Sequence, residues 1–119
     1  MRGKVSSGLG QAQYFLSREG YRCQFKERLG FVPFPGTLNV LLDEPFPTEV
    51  QPIEIEGFSE EGKSFGKCKC YRIKLGGIQA AVIRPVKSRY PPEIIEIIAP
   101  AKLRDLGLKD GDTVEIMLI

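Results

Sequence analysis

Residues 64–84 constrain the fold more than any other stretch. Polar and apolar residues alternate over positions 64–75, Gly76-Gly77 follows, and a mostly apolar run returns over positions 78–84. A period of two places alternate side chains on opposite faces of a strand, and paired glycines supply the positive φ angles of a tight hairpin turn. The stretch is therefore expected to be a β-hairpin, and the fold must contain an antiparallel sheet.

The rest of the chain is punctuated in the same way. Val5 lies in a very short strand before a glycine-flanked loop, and residues 11–16 read as a second strand. Ser17 is placed to cap a helix over residues 17–29, with Tyr21, Phe25 and Leu29 four apart on one side and Gly30 to end it. Pro33 and Pro35 force an extended approach to a strand at 37–42. Pro45 and Pro47 mark a connection to a strand at 53–56, and Glu60-Glu61-Gly62 reads as a turn. A strand at 94–98 follows. Pro100 is placed to begin a short helix over 101–106 that Gly107 ends, and a turn at 108–112 leads to a closing strand at 113–118. Six or more short strands with two modest helices predict a mainly β fold, a small closed antiparallel barrel, with residues 1–119 forming one domain.

Composition narrows the chemistry. Among 119 residues there is no histidine, which removes the commonest general base, the Ser-His and Cys-His nucleophile pairs and the usual zinc sets. Catalysis would rest on carboxylates, hydroxyls, lysine, backbone groups or a metal. The 17 basic and 15 acidic residues leave a net charge of +2, too mild to announce nucleic acid as a partner. Three cysteines suit a reducing compartment, and Cys68 and Cys70 read either as two small core residues or as thiolate ligands on one strand face. The most apolar stretch, 94–99, is short and broken by Glu96, so no membrane span is expected. Residues 1–10 lack the apolar core of a signal peptide, so a cytoplasmic location is expected.

Several groups could carry function. Thr37 and Asn39 are polar residues two apart in an otherwise apolar run, so they share a strand face. Their neutral oxygens suit a hard cation such as Mg²⁺, which takes few protein ligands beside water and phosphate; a solvent face or a turn cap is the competing reading. Gly8 and Gly10 either let backbone N–H groups approach an anion or form a plain turn. Lys87, Ser88, Arg89 and Tyr90 sit in an irregular stretch suited to binding. Glu96 shares a strand face with Ile94 and Ile98, which fits either the border of a cavity or an edge open to water. Lys102 and Arg104 would add charge to the unpaired N–H groups of the short helix, or lie on a solvated surface helix.

Three separated stretches then coincide with one family. Ser7-Gly8-Leu9-Gly10 with Tyr14-Phe15-Leu16, Pro35-Gly36-Thr37-Leu38-Asn39, and the run from Glu93 to Pro100 with Lys102-Leu103-Arg104 resemble, in order and spacing, the archaeal CTP-dependent riboflavin kinases. The resemblance covers nearly the whole chain. It implies a six-stranded cradle-loop barrel that transfers the terminal phosphoryl group of CTP to riboflavin, giving FMN and CDP. By motif it implies a nucleotide site at Gly8, Leu9, Gly10, Gln11, Ala12 and Gln13 with Ala101, Lys102, Leu103 and Arg104. It further implies one Mg²⁺ at Thr37 and Asn39 and a flavin site at Ser88 and Glu96. Glu96 is also the nearest candidate for a catalytic base, although orienting the flavin is an equal role for it. The family pattern often carries glycine, arginine and threonine where this chain has Ala12, Gln13 and Ser88; Gln13 brings no charge, so neutralisation would fall on Mg²⁺, Lys102 and Arg104. Residues 103–116 are also similar to the closing segment of swapped-hairpin DNA-binding factors of the AbrB type, although this chain is about twice as long as such a protomer needs. A non-catalytic flavin or nucleotide sensor is the third possibility.

Overall fold

The Gly76-Gly77 hairpin forms as the alternation demands. In a computed structural model describing residues 1–8, 12–47, 49–88 and 90–119, the strands on either side of it pair from Cys68↔Pro85 to Leu75↔Ile78. Gly76 and Gly77 take φ angles of 55° and 87°, which residues with a Cβ rarely adopt.

In chain order the elements are β1 (Arg2–Ser6), α1 (Ala12–Leu16), α2 (Glu19–Leu29), β2 (Leu38–Leu42), β3 (Ile53–Ile55), β4 (Phe58–Glu60), β5 (Lys63–Phe65), β6 (Cys68–Leu75), β7 (Ile78–Pro85), β8 (Ile94–Ile98), a 3₁₀ turn (Leu103–Leu106) and β9 (Thr113–Leu118). One edge of β6 holds β7 along its whole length, and the opposite edge is shared. Cys68 to Cys70 pair with β3, and Ile73 to Leu75 pair with β9. The second pairing closes a six-stranded antiparallel ring, β6-β7-β8-β2-β1-β9. Because β9 pairs with β1 and β6 of its own chain, the barrel closes within one chain, and the swapped-hairpin reading is not favoured.

Branched aliphatic residues from alternate positions fill the interior, among them Val5, Val40, Ile73, Val82, Ile95, Ile97 and Ile116. A second apolar cluster lies on the outer face. There α2 buries Tyr21, Phe25 and Leu29 against Ile55, Cys70, Ala81, Ile83 and Ile98, as the four-residue spacing predicts. Cys68 and Cys70 belong to this cluster. A hydrogen bond with Cys68 and burial push the Cys70 thiol well above its ordinary pKa, which keeps it a protonated core residue.

Local expectations are corrected at four places. Residues 12–16 form helix α1 and no strand: Tyr14 and Phe15 are adjacent yet both half exposed and only Leu16 is buried, so no alternation drives a sheet. Ser17 caps the end of α1, its Oγ donating to the Tyr14 carbonyl at 3.0 Å, while α2 starts at Glu19 behind Arg18 without a side-chain cap. The run 64–75 is interrupted at Gly66-Lys67, so β5 pairs with β4 around the Glu61-Gly62 turn and leaves the barrel to β6. The helix expected to begin at Pro100 is a four-residue 3₁₀ turn that starts after Lys102 and ends at Gly107, with Leu103 buried in the barrel core. A turn this short has no useful dipole, which removes the helix N-terminus as an anion site.

Candidate active site

Register brings together residues that the sequence keeps apart. Ser6 lies opposite Asn39, Asn39 opposite Glu96, and Glu96 opposite Ile83, so one row crosses β1, β2, β8 and β7 on the outer face of the barrel. Inward neighbours on these strands are aliphatic, which makes this row the floor of whatever sits outside.

Asn39 is its centre and is only 3% exposed, the sole buried polar side chain among the described residues. The competing reading of Asn39 as part of a solvent face therefore does not hold. Thr37 Oγ1 donates to Asn39 Oδ1 at 3.2 Å, and Asn39 Nδ2 donates to the Tyr90 hydroxyl at 3.4 Å. Gly8 presses on the same amide: a Cβ there would lie 2.8 Å from both Nδ2 and Oδ1. The glycine of the first loop is thus required for close approach to Asn39, which links the first motif to the second.

Glu96 stands beside Asn39 in the same row. Burial pushes its carboxyl above the usual range, and the positive charge of Arg84 partly opposes that shift. Arg84 forks across the carbonyls of Tyr90, Pro91 (3.3 Å) and Ile94 (3.1 Å), clamping the loop after β7 onto the start of β8. Within that loop the Tyr90 N–H donates to Ser88 Oγ at 3.3 Å.

These groups open into a cleft of about 1040 Å³. Its polar end holds Thr37, Asn39, Ser88, Tyr90 and Glu96, and its wall holds Tyr14, Phe15 and Phe65. Tyr14 and Phe15 are 43% and 46% exposed and meet Phe65 at ring separations of 6.2 and 6.3 Å. Lys63, Lys67 and Lys87 line the same space. A second cavity of about 70 Å³ lies between Phe34, Gly36, Ala99 and the Ala101-Lys102-Leu103-Arg104 segment. Thr37 lines both, so the two spaces adjoin at this residue.

Ala12 borders the large cleft, whereas Gln13 lies on α1 and is exposed. Leu9, Gly10, Gln11 and Arg89 lie outside the described residues. Lys102 is exposed at the small cavity. Arg104 also borders it, but its Nη2 bonds Asp110 at 2.7 Å and the Ser6 carbonyl at 3.2 Å, and Ser7 Oγ donates to the same carboxylate. These hydrogen bonds, from Ser7 first and then Arg104, hold the Asp110 carboxyl below its ordinary pKa. Arg104 is therefore a strut between the first loop and the 3₁₀ turn as well as a cavity residue. Sequence reasoning missed Arg84 and Asp110, which look like ordinary strand and turn charges until the fold supplies their partners.

The oxygen pair fits a small hard cation in geometry. Neighbouring ligands of octahedral Mg²⁺ lie about 3.0 Å apart, given bonds of ~2.1 Å, and Thr37 Oγ1 and Asn39 Oδ1 are 3.2 Å apart. Two neutral oxygens make a weak site alone, so such an ion would need further oxygens from a phosphate ligand.

Fold and site define a small antiparallel barrel carrying a two-part ligand cleft on its outer face. Residues 5–118 match the model of the CTP-dependent riboflavin kinase family (CTP-dep_RFKase, "Domain of unknown function DUF120"), and the chain belongs to that family. It is 58% identical over 120 residues to a protein of Methanocella arvoryzae named "Riboflavin kinase", covering 99% of this chain and 56% of that one. Proteins of the same name from Ignicoccus hospitalis and Archaeoglobus fulgidus are 50% and 47% identical over 126 residues, covering 99% and 100% of this chain and 70% and 54% of theirs. The chain thus spans little more than half the length of two of these three relatives. Among the described residues no helix is long and apolar enough to cross a membrane.

Proposed function

We propose that this barrel transfers the terminal phosphoryl group of CTP to the 5′ hydroxyl of riboflavin, giving FMN and CDP. Family membership and the name that these relatives share support the reading. The observation that carries it is the position of Thr37, which borders both cavities and touches Asn39. A phosphoryl group passing between two substrates needs such a junction.

Riboflavin would take the large cleft, its ring against the Tyr14, Phe15 and Phe65 wall and its polar groups toward Ser88 and Glu96. CTP would lie across the small cavity bordered by Ala101, Lys102, Leu103 and Arg104, with Gly8, Leu9, Gly10, Gln11, Ala12 and Gln13 as the further nucleotide-binding residues that the family resemblance implies. Mg²⁺ held by Thr37 and Asn39 would neutralise charge on the transferring group. The attacking ribityl oxygen forms its bond to the terminal phosphorus as the bridging P–O bond breaks, CDP leaves with that electron pair, and the hydroxyl proton is released. Because the transition state is loose, alignment and charge neutralisation supply most of the acceleration. Histidine is not needed. Glu96, raised in pKa and next to Asn39, orients the flavin in this scheme, and proton abstraction is not assigned to it.

The test is incubation with riboflavin, Mg²⁺ and each of the four nucleoside triphosphates, followed by separation of flavins. FMN formed with CTP supports the proposal. No FMN with any nucleotide overturns it and leaves a non-catalytic flavin or nucleotide module.

A further inference from the structure

Asn39 has two ends of nearly the same shape and opposite hydrogen-bonding sense, so its function depends on which end faces Thr37. A cation between Thr37 and Asn39 requires the oxygen there. The amide nitrogen must then find an acceptor on the far side, in a position almost closed to water. The Tyr90 hydroxyl is that acceptor, at 3.4 Å.

We infer that Tyr90 is a positioning residue: by accepting from Asn39 Nδ2 it keeps the Asn39 oxygen turned toward Thr37 and the cleft. The ring is itself held in place. The Tyr90 N–H donates to Ser88 Oγ at 3.3 Å, and its carbonyl accepts from Arg84, which also binds the Pro91 and Ile94 carbonyls. One residue therefore joins the loop proposed to meet the flavin with the side chain proposed to meet the metal. Without the hydroxyl, the oxygen-to-Thr37 orientation leaves a buried donor unpaired. The reverse orientation pairs that donor with the Thr37 hydroxyl, which can accept from the nitrogen as readily as it donates to the oxygen, and leaves in its place an unpaired oxygen, the group that buried sites tolerate better. Removing one oxygen atom should thus turn the amide over and spoil the cation site from behind.

Only the metal-binding half of this inference rests on the riboflavin kinase reading; the orientation of Asn39 is a property of the chain alone. Tyr90→Phe keeps the ring and the backbone bonds. In ¹⁵N-labelled protein without ligands, with the Asn39 amide pair assigned through Asn39→Asp, wild type should show contacts from the amide protons to the Tyr90 ring. In Tyr90→Phe these contacts should pass to Thr37. Mn²⁺ titration followed by electron paramagnetic resonance in the presence of CDP should then give an affinity about three- to tenfold weaker, the scale of one hydrogen bond. Arg84→Lys, which cannot fork across three carbonyls, should move both readouts in the same direction by less. Unchanged amide contacts in Tyr90→Phe overturn the inference, and so does a turned amide with unchanged Mn²⁺ affinity. Failure of the reading itself looks different: wild type then makes no FMN, and the amide contacts still decide the role of Tyr90.

Discussion

Replacing Gly8 with alanine adds one carbon against the Asn39 carboxamide and tests the coupling of the first loop to the oxygen pair. The new Cβ would stand 2.8 Å from Nδ2 and Oδ1 and 2.9 Å from Cγ, where ordinary contact begins at 3.4 Å. The amide would have to retreat by about 0.6 Å. It has little room to do so, because it is buried and held at one end by Thr37 and at the other by Tyr90. The backbone at Gly8 is not in the left-handed region, so alanine is not strained by φ, and its lower unfolded-state entropy returns about 0.4–1 kcal/mol against an overpacking cost of about 1–3 kcal/mol. Net stability should fall by no more than about 2.6 kcal/mol. Turnover should fall much further, roughly 10- to 100-fold, since misplacement of a positioning group by about 1 Å costs on the order of 10² in rate. Steady-state FMN formation beside urea denaturation separates the two effects. Adding Gly8→Ala to Asn39→Ala should cost little more than Asn39→Ala alone, because the clash has lost its partner. Full turnover in Gly8→Ala, or full additivity in the double variant, refutes the contact as the reason for glycine.

Asn39→Ala and Thr37→Val should each lower turnover roughly 100-fold while riboflavin binding by fluorescence changes little; wild-type rates in both would move the cation elsewhere. Burial raises the Glu96 pKa above its unfolded value, so ionised Glu96 subtracts from stability at neutral pH, and that loss is recovered as pH falls through the raised value toward the ordinary 4.5. Glu96→Gln should therefore be at least as stable as wild type to urea at neutral pH with a margin that shrinks in acid, and a margin that grows in acid contradicts the assignment. Gly20 opens α2 against the Phe58 ring, where a Cβ would come within 2.6 Å; Gly20→Ala should lower stability by about 1–2 kcal/mol in place of the ~1 kcal/mol gain expected in a free helix, and a higher melting temperature would show that Phe58 gives way.

What the sequence made legible was local, and what it hid was pairing. The Gly76-Gly77 hairpin, the Tyr21, Phe25 and Leu29 face and the closing strand at 113–118 follow from spacing alone. Helix α1 was misread because two adjacent aromatics, Tyr14 and Phe15, resemble a strand when nothing says that both face a cleft. In the site, the shared face of Thr37 and Asn39 was readable from their separation of two. Their burial was not, because it depends on Gly8 and Tyr90, 31 residues before and 51 after Asn39. Arg104 was read as a free charge; its bond to Asp110 exists only because the turn before β9 folds back past the end of β1.

A closed barrel of six strands has no room for a ligand inside when Val, Ile and Leu fill it, so function must be built on its outer surface. Here the barrel supplies a floor, since Asn39 and Glu96 lie on adjacent strands whose inward neighbours Leu38, Val40, Ile95 and Ile97 are all buried. The walls come from elements outside the ring: α1, the β4–β5 hairpin and the loop after β7. That division matches the demands of phosphoryl transfer. In the proposed function the oxygens that would hold a phosphate and its counter-ion lie on β2 or one residue before it, where rotamers are locked by packing. The groups that would admit and release the planar ring in that proposal sit on short elements, which can open at small cost. Thr37 stands at the seam, one residue before β2 begins and directly after the Pro35-Gly36 approach. Its hydroxyl therefore inherits the register of the strand while the residue borders both cavities, and the next residue, Leu38, is already buried in the core.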